Sequence, residues 1–174
     1  MNKKVLIIDT SILCVWLDVP GMNKIVRKGF DDITPDVVKD YIDEQTAEGV
    51  RIVLPFAVII ECGNHITQIK GDNKHKVDEM AELVEKAIDG TEPWDVFAQQ
   101  KTLFERDSLK AMISEWRVHG PSRLSIGDTS IKQVAEFYHN MGYVVEIYTG
   151  DNGLKAFQPV PKSTSPLSRN RGRR

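Results

Sequence analysis

Val5-Leu6-Ile7-Ile8-Asp9-Thr10-Ser11 is the stretch that decides the fold. Four apolar residues in a row, with no polar residue alternating among them, mark a central strand buried on both faces. A single acid stands at its carboxyl end. Outward from there, Arg51-Ile-Val-Leu-Pro55 reads as a second buried strand and Tyr143 to Tyr148 as a third. The segments between them carry helical periodicity. Residues 11–17 turn into a helix, and Thr34-Pro35-Asp36 starts another, with Thr34 as cap and Val37, Val38, Tyr41 and Ile42 facing inward. Phe56 to Ile60 leads into a helix containing Glu61, His65 and Ile69. Residues 76–89 place Val77, Met80, Ala81, Leu83, Val84, Ala87 and Ile88 at helical spacing. Trp94, Val96 and Phe97 open a further helical stretch, and Leu103 to Trp116 another. Leu124 to Asp128 then enters a helix carrying Ile131, Val134, Ala135 and Tyr138, capped at Asn140-Met-Gly142. Strands separated by helices predict an α/β fold built from parallel βαβ units.

The chain has 174 residues, 41% hydrophobic and 28% charged. That is enough chain to bury a core, and too apolar a chain to stay disordered. Its two cysteines exclude a disulfide framework and a four-thiolate zinc site. Met1-Asn-Lys-Lys followed by Val5–Leu17 imitates a signal peptide, but Asp9 interrupts the apolar run and no small-residue cleavage site follows. An acid inside such a run is costly in a membrane, and no other segment approaches the roughly 20 apolar residues needed to span one. The expectation is a cytoplasmic protein without membrane association, with Cys14 and Cys62 reduced. The net charge of −2 hides a division. All 25 Asp and Glu lie at or before Asp151, against 18 Lys and Arg in residues 1–161, a net −7; Lys162, Arg169, Arg171, Arg173 and Arg174 make the last thirteen residues +5. From Pro159 onward Pro, Ser and Arg replace apolar residues, which predicts a flexible basic tail over 159–174.

Open α/β sheets bind ligands at the carboxyl ends of their strands, and acids collect there. Asp9 ends the first strand, Glu61 follows the second after a short connector, and Asp151 follows the third. Asp128 sits at the start of a helix whose dipole tolerates an anion. Taken singly, an acid after a strand reads as a helix cap or a solvated loop residue, and Asp128 alone reads so. Four carboxylates converging on one edge resist ionisation unless a cation neutralises them. Such an oxygen-rich set suits Mg2+ or Mn2+, which also accept phosphate oxygens and can activate water for in-line displacement at a phosphodiester. Asp9, Glu61, Asp128 and Asp151 are therefore the candidate metal ligands and catalytic residues.

Asp9 in Ile-Ile-Asp-Thr-Ser-Ile-Leu, Glu61 in Leu-Pro-Phe-Ala-Val-Ile-Ile-Glu, Asp128 in Ser-Ile-Gly-Asp-Thr-Ser-Ile and Asp151 in Tyr-Thr-Gly-Asp-Asn-Gly-Leu resemble, in order and context, the pattern of PIN-domain ribonucleases over residues 5–157. The resemblance implies a three-layer α/β/α sandwich around a parallel sheet, in a domain spanning 1–158. It also implies a metal-dependent endoribonuclease with these acids as ligands, leaving a 3′-hydroxyl and a 5′-phosphate. Members of the family occur as toxins of toxin–antitoxin pairs and in RNA processing, so RNA as substrate and an antitoxin or other protein partner are implied too; DNA as substrate and a homo-oligomer stay open. Two departures stand out. The segment between Glu61 and Asp128 is long, giving a helical insertion over about 71–122 that contains Trp94 and Trp116. Little follows Asp151 beyond Leu154 and Phe157, so the family's usual last strand is short or missing.

Around the acids, Thr10 and Ser11 could bind phosphate or simply start a helix. Thr149 could orient a carboxylate or a water, and Asn152 could donate from behind or belong to a plain turn. His65, His75, His119 and His139 show no ligand spacing. Arg169, Arg171, Arg173 and Arg174 could pair phosphates of a nucleic acid; a solubilising tail or a site for an acidic protein has the same composition. Two other functions compete with cleavage. A phosphohydrolase working through an aspartyl phosphate on Asp9 needs a second acid two residues later, where Ser11 stands. A PIN-like module that binds RNA or protein without cutting has no need of four clustered carboxylates.

Overall fold

The run Val5–Ile8 lies at the centre of the molecule, each of its residues no more than 1% exposed. The computed structural model describes residues 3–91, 93–95 and 100–161. β1 (Lys4–Ile8), β2 (Arg51–Val53), β3 (Trp94–Asp95) and β4 (Val144–Tyr148) form one parallel sheet in the order β3-β2-β1-β4. β1 therefore has a strand on each side, and both of its faces are buried, which is why its sequence runs apolar without alternation. β4 alternates instead, with Val145 and Ile147 buried and Glu146 half-buried.

β3 corrects the helical reading of the stretch opened by Trp94. Trp94 pairs with Ile52 in parallel register and packs edge-on against Trp16, ring centroids 5.4 Å apart. A two-residue edge strand leaves no periodicity to read. Val96 and Phe97, assigned to the same stretch, lie outside the described residues. The segment 71–122 consequently contributes a strand to the sheet as well as helices.

Seven α-helices surround the sheet among the described residues: α1 (Thr10–Trp16), α2 (Pro35–Ala47), α3 (Phe56–Thr67), α4 (Lys74–Ile88), α5 (Arg106–His119), α6 (Ile126–Asn140) and the single turn α7 (Asn152–Lys155). In α2, Val38, Ile42 and Gln45 form the buried stripe, while Val37 is exposed; at 100° per residue it falls beside the stripe rather than on it. In the same way Met80, Leu83 and Ala87 are the buried residues of α4, whereas Val77 and Ile88 face solvent. α3 ends at Thr67, two residues short of the expected Ile69. α2 covers the sheet face that carries Glu146 and Tyr148. The Tyr41 hydroxyl reaches the Glu146 carboxylate at 3.0 Å, its ring stands edge-on to Tyr148, and Lys4 pairs with Glu146 at 2.9 Å.

α6 buries Ile131, Val134, Ala135 and Tyr138. α5 buries no residue of its own and is fastened to α6 by polar links. The Gln133 amide donates to the Ser108 carbonyl at 2.9 Å, and Lys132 pairs with Glu115. Beyond β4, α7 follows and no strand occurs among the described residues. The tail cations Lys162, Arg169, Arg171, Arg173 and Arg174 lie outside the described residues. Among those residues, no helix is long and apolar enough to cross a membrane.

Candidate active site

Strand register assembles the site. Ile8 is opposite Tyr148, and the Asp9 N–H extends that ladder by donating to the Tyr148 carbonyl at 3.1 Å. Asp9 and Thr149 are thereby brought level at the carboxyl edge of the sheet. The Thr149 hydroxyl donates to one Asp9 carboxylate oxygen at 2.8 Å, and the Ser11 hydroxyl donates to the same oxygen at 2.8 Å. The other oxygen accepts the Thr10 N–H at 2.6 Å, which makes Asp9 the N-cap of α1. Three donors from two elements fix this carboxylate, and it is only 6% exposed.

Asp9 is connected to two of the other acids through threonines. The Thr10 hydroxyl donates to the Glu61 carboxylate at 2.7 Å, joining the start of α1 to α3. The Thr149 oxygen accepts the Asp151 N–H at 2.9 Å, and Asp151 caps α7 by accepting from Gly153 at 2.6 Å. Glu61, Thr10, Asp9, Thr149 and Asp151 therefore form one hydrogen-bonded line along the edge.

Asp128 enters differently. It is the third residue of a capping box, in which its carboxylate accepts the Ser125 N–H at 3.0 Å and the Ser125 hydroxyl accepts the Asp128 N–H at 2.9 Å. The residue before it, Gly127, lies against Glu61. A Cβ there would collide with a Glu61 carboxylate oxygen and stand 3.0 Å from its Cδ. The missing side chain of Gly127 is what lets the Glu61 carboxylate rest on the first turn of α6. Sequence reading missed Gly127; its signal was a poor helix former in the first turn of an otherwise well-formed helix.

The electrostatics follow from the geometry. Burial pushes the Asp9 carboxyl above its ordinary range and the charge of Asp128 acts in the same direction, against the bonds from Thr149, Ser11 and Thr10. A carboxyl whose folded pKa is raised binds protons more tightly folded than unfolded, so its contribution to stability is present at low pH and lost as pH rises through the folded value. Asp9→Asn removes that loss. Its melting temperature relative to wild type should be highest near neutral pH, and the difference should shrink as pH falls toward the ordinary aspartate value of 3.8. Thermal melts of both proteins across that range check this; parallel pH profiles would refute it.

Behind the line of acids, α1 and α3 touch through Cys14 and Cys62, free thiols with sulfurs 3.5 Å apart and fully buried. His65 lies one turn beyond Glu61 and is half-buried, and His75 pairs with Glu79 on α4. Asn152 is exposed in the first turn of α7. Thr10 and Ser11 spend their hydroxyls on Glu61 and Asp9. The four arginines of the tail lie outside the described residues.

Among the described residues, no three Asp, Glu, His or Cys side chains stand together as a ready-made ion cage. Asp128 and Asp151 turn carboxylate oxygens to their capping donors. The donor chemistry nevertheless fits a hard divalent ion, since carboxylate oxygen is what Mg2+ and Mn2+ take. A buried acid with a raised pKa beside a second acid is also the arrangement that a cation relieves. Asp9, Glu61, Asp128 and Asp151 are the expected ligands, and among the described residues no three of them stand together in the arrangement seen.

No family model matches the chain, and no curated protein matches it.

Proposed function

We propose that this protein is a metal-dependent endoribonuclease with a PIN-like α/β/α arrangement. The observation that carries the reading is Asp9: a buried carboxylate at the end of the central strand, held by three donors and linked through Thr10 and Thr149 to Glu61 and Asp151. A structural cap has no use for so much orientation on a buried charge, whereas a ligand or base needs its oxygens fixed. The ordered sequence contexts of the four acids support the same reading by resemblance. Mg2+ or Mn2+, when bound, supplies a Lewis acid for the phosphoryl oxygens and the attacking water.

The chain's own residues do the rest. Asp9, Glu61, Asp128 and Asp151 would hold the ion, while Ser11 and Thr149 keep the Asp9 carboxylate in one orientation. Water adds to phosphorus as the bond to the 3′ oxygen breaks, and the leaving oxygen takes a proton to become a 3′-hydroxyl. The resulting 5′-phosphate is the product to look for. The partner this reading implies is an inhibitory antitoxin or another protein of RNA metabolism, and the location is the cytoplasm.

The purified chain should cut RNA with Mg2+ or Mn2+, stop on addition of EDTA, and recover when the metal is returned in excess. End-labelled substrates report the 5′-phosphate. Cleavage that persists in EDTA would sink the mechanism. A second reading, a module that binds RNA or protein without cutting, is favoured by one observation: Asp128 completes the capping box of α6 and Asp151 is the N-cap of α7, so both carboxylates already serve helix starts. Titration with Mn2+ separates the two, because the binding module requires no metal and predicts no saturable site.

A further inference from the structure

The chain between α1 and α2 must climb back to the carboxyl edge of the sheet, because α2 runs down to enter β2 from the amino edge. On the way it forms a tight hairpin over residues 25–33. Ile25 and Ile33 exchange backbone hydrogen bonds at 2.9 Å in antiparallel register, and Ile33 is buried. The tip turns where the Phe30 N–H donates to the Arg27 carbonyl at 3.2 Å, with Gly29 at a φ of +83° that favours glycine. The base of the hairpin closes on the line of acids. A Cβ on Gly150 would stand 2.9 Å from two side-chain carbons of Ile25, so the bare backbone between Thr149 and Asp151 is what admits Ile25. Phe30 follows only three residues before Ile33, at most about 11 Å of chain.

The tip holds apolar groups in water beside cations. Phe30 is 76% exposed and Val26 73%. The Arg27 guanidinium lies 6.0 Å from the centroid of the Phe30 ring, within cation–π range, and its Nε donates to the Asp31 carbonyl at 2.8 Å. Fixed in this way, the guanidinium keeps further N–H groups for a phosphate. Lys28 is exposed and has no ion pair among the described residues. Asp32 is engaged by Lys24 at 2.8 Å and accepts the Arg27 N–H at 3.4 Å. Residues 24–32 thus carry three cations to two acids, on a body whose residues 1–161 are net −7.

We propose that hairpin 25–33 is a grip that holds single-stranded RNA beside the acids, with Phe30 stacking on a base and Arg27 and Lys28 pairing the adjacent phosphates. The proposal rests on the nuclease reading, because RNA that reaches Asp9 and Asp151 passes Gly150, where the hairpin is seated. Stacking on an aromatic ring is indifferent to which base arrives, so the grip fixes the strand and leaves its sequence unread. A duplex keeps its bases stacked inside and offers the ring none, which selects single strands. An apolar groove on a protein would bury Phe30 and Val26 but leave the charges of Arg27 and Lys28 without partners, so the chemistry of the tip favours RNA.

The test has a binding arm and a cleavage arm, both on the full chain. Phe30 and Lys28 are exposed, so their variants should melt with wild type. In EDTA, the fluorescence anisotropy of labelled oligo(U) measures binding without cleavage. Phe30→Ala should weaken it about tenfold, the scale of one lost stacking contact, and Phe30→Trp should retain it. Lys28→Ala should lower the slope of log affinity against log salt by about 0.7, one phosphate contact on a single strand. Phe30→Ala should leave that slope alone. A paired oligo(A)·oligo(U) duplex should bind wild type and Phe30→Ala alike. With metal, Phe30→Ala should raise KM for oligo(U) and leave kcat unchanged, the mark of uniform binding lost. Cleavage with the wild-type KM in both Phe30→Ala and Lys28→Ala overturns the grip while leaving the nuclease intact. Single-strand binding that depends on Phe30 in a chain that cuts no RNA overturns the nuclease and leaves the grip. Wild-type affinity in both variants, or no affinity of the wild type for RNA, overturns the proposal and leaves the tip to a protein.

Discussion

Asp9→Asn should lower metal-dependent RNA cleavage by about 10³-fold, the scale of an electrostatic group removed from a reacting centre, while leaving the protein folded. The substitution is isosteric, and each of the three donors to Asp9 has a partner afterwards. The amide oxygen still accepts the Thr10 N–H. The amide nitrogen then faces the Ser11 and Thr149 hydroxyls, which can rotate from donating to accepting. Thr149 also accepts the Asp151 N–H, and a hydroxyl oxygen has lone pairs for both. What disappears is the buried negative charge. Loss of activity together with an equal or higher melting temperature at neutral pH is therefore the expected pair of results, the pattern of a site that trades stability for function. A variant that cuts within about tenfold of wild type, equivalent to about 1.4 kcal/mol of barrier, would remove Asp9 from the chemistry.

Gly127→Ala should reduce activity or metal affinity by about 10–100-fold, the range for groups that orient ligands, without destabilising the chain. Alanine in a helix is favoured over glycine by up to about 1 kcal/mol. The new Cβ meets only the end of the Glu61 side chain, which is long enough to swing away. In moving, Glu61 gives up the hydrogen bond from Thr10 and its place against Gly127 on the first turn of α6. The defect should therefore be the same defect as Glu61→Gln. The double variant should be no worse than the more impaired single one, because both act through one carboxylate. Measured with metal titration alongside cleavage rates, fully additive losses would show that Gly127 acts by another route, and full activity would show that the seat of Glu61 is irrelevant.

The parallel α/β arrangement could be read because β1 is covered on both faces, and that demand shows directly as Val-Leu-Ile-Ile. β3 could not, since a strand of two residues at the sheet edge has no pattern of its own and Trp94 looks like any helical aromatic. Acids at strand ends stand out in a sequence because each interrupts or directly follows an apolar run. Their connections do not stand out: the bond from Thr149 to Asp9 depends on the register of β1 against β4, which local sequence does not encode. Gly127 was overlooked for a different reason: its role is to lack a side chain, and a glycine in the first turn of a helix is its one signal.

The bond between Thr149 and Asp9 joins residues 140 positions apart, and β1 pairs with β4 across a similar span. Closing loops of that length is slow relative to local helix formation. During vectorial synthesis the first strand and its acid emerge long before their partners do, so the central carboxylate has neither its orienting hydroxyl nor this neighbouring strand until β4 and Thr149 leave the ribosome. For the proposed nuclease, that topology means that the site cannot assemble on a chain that stops short of Thr149.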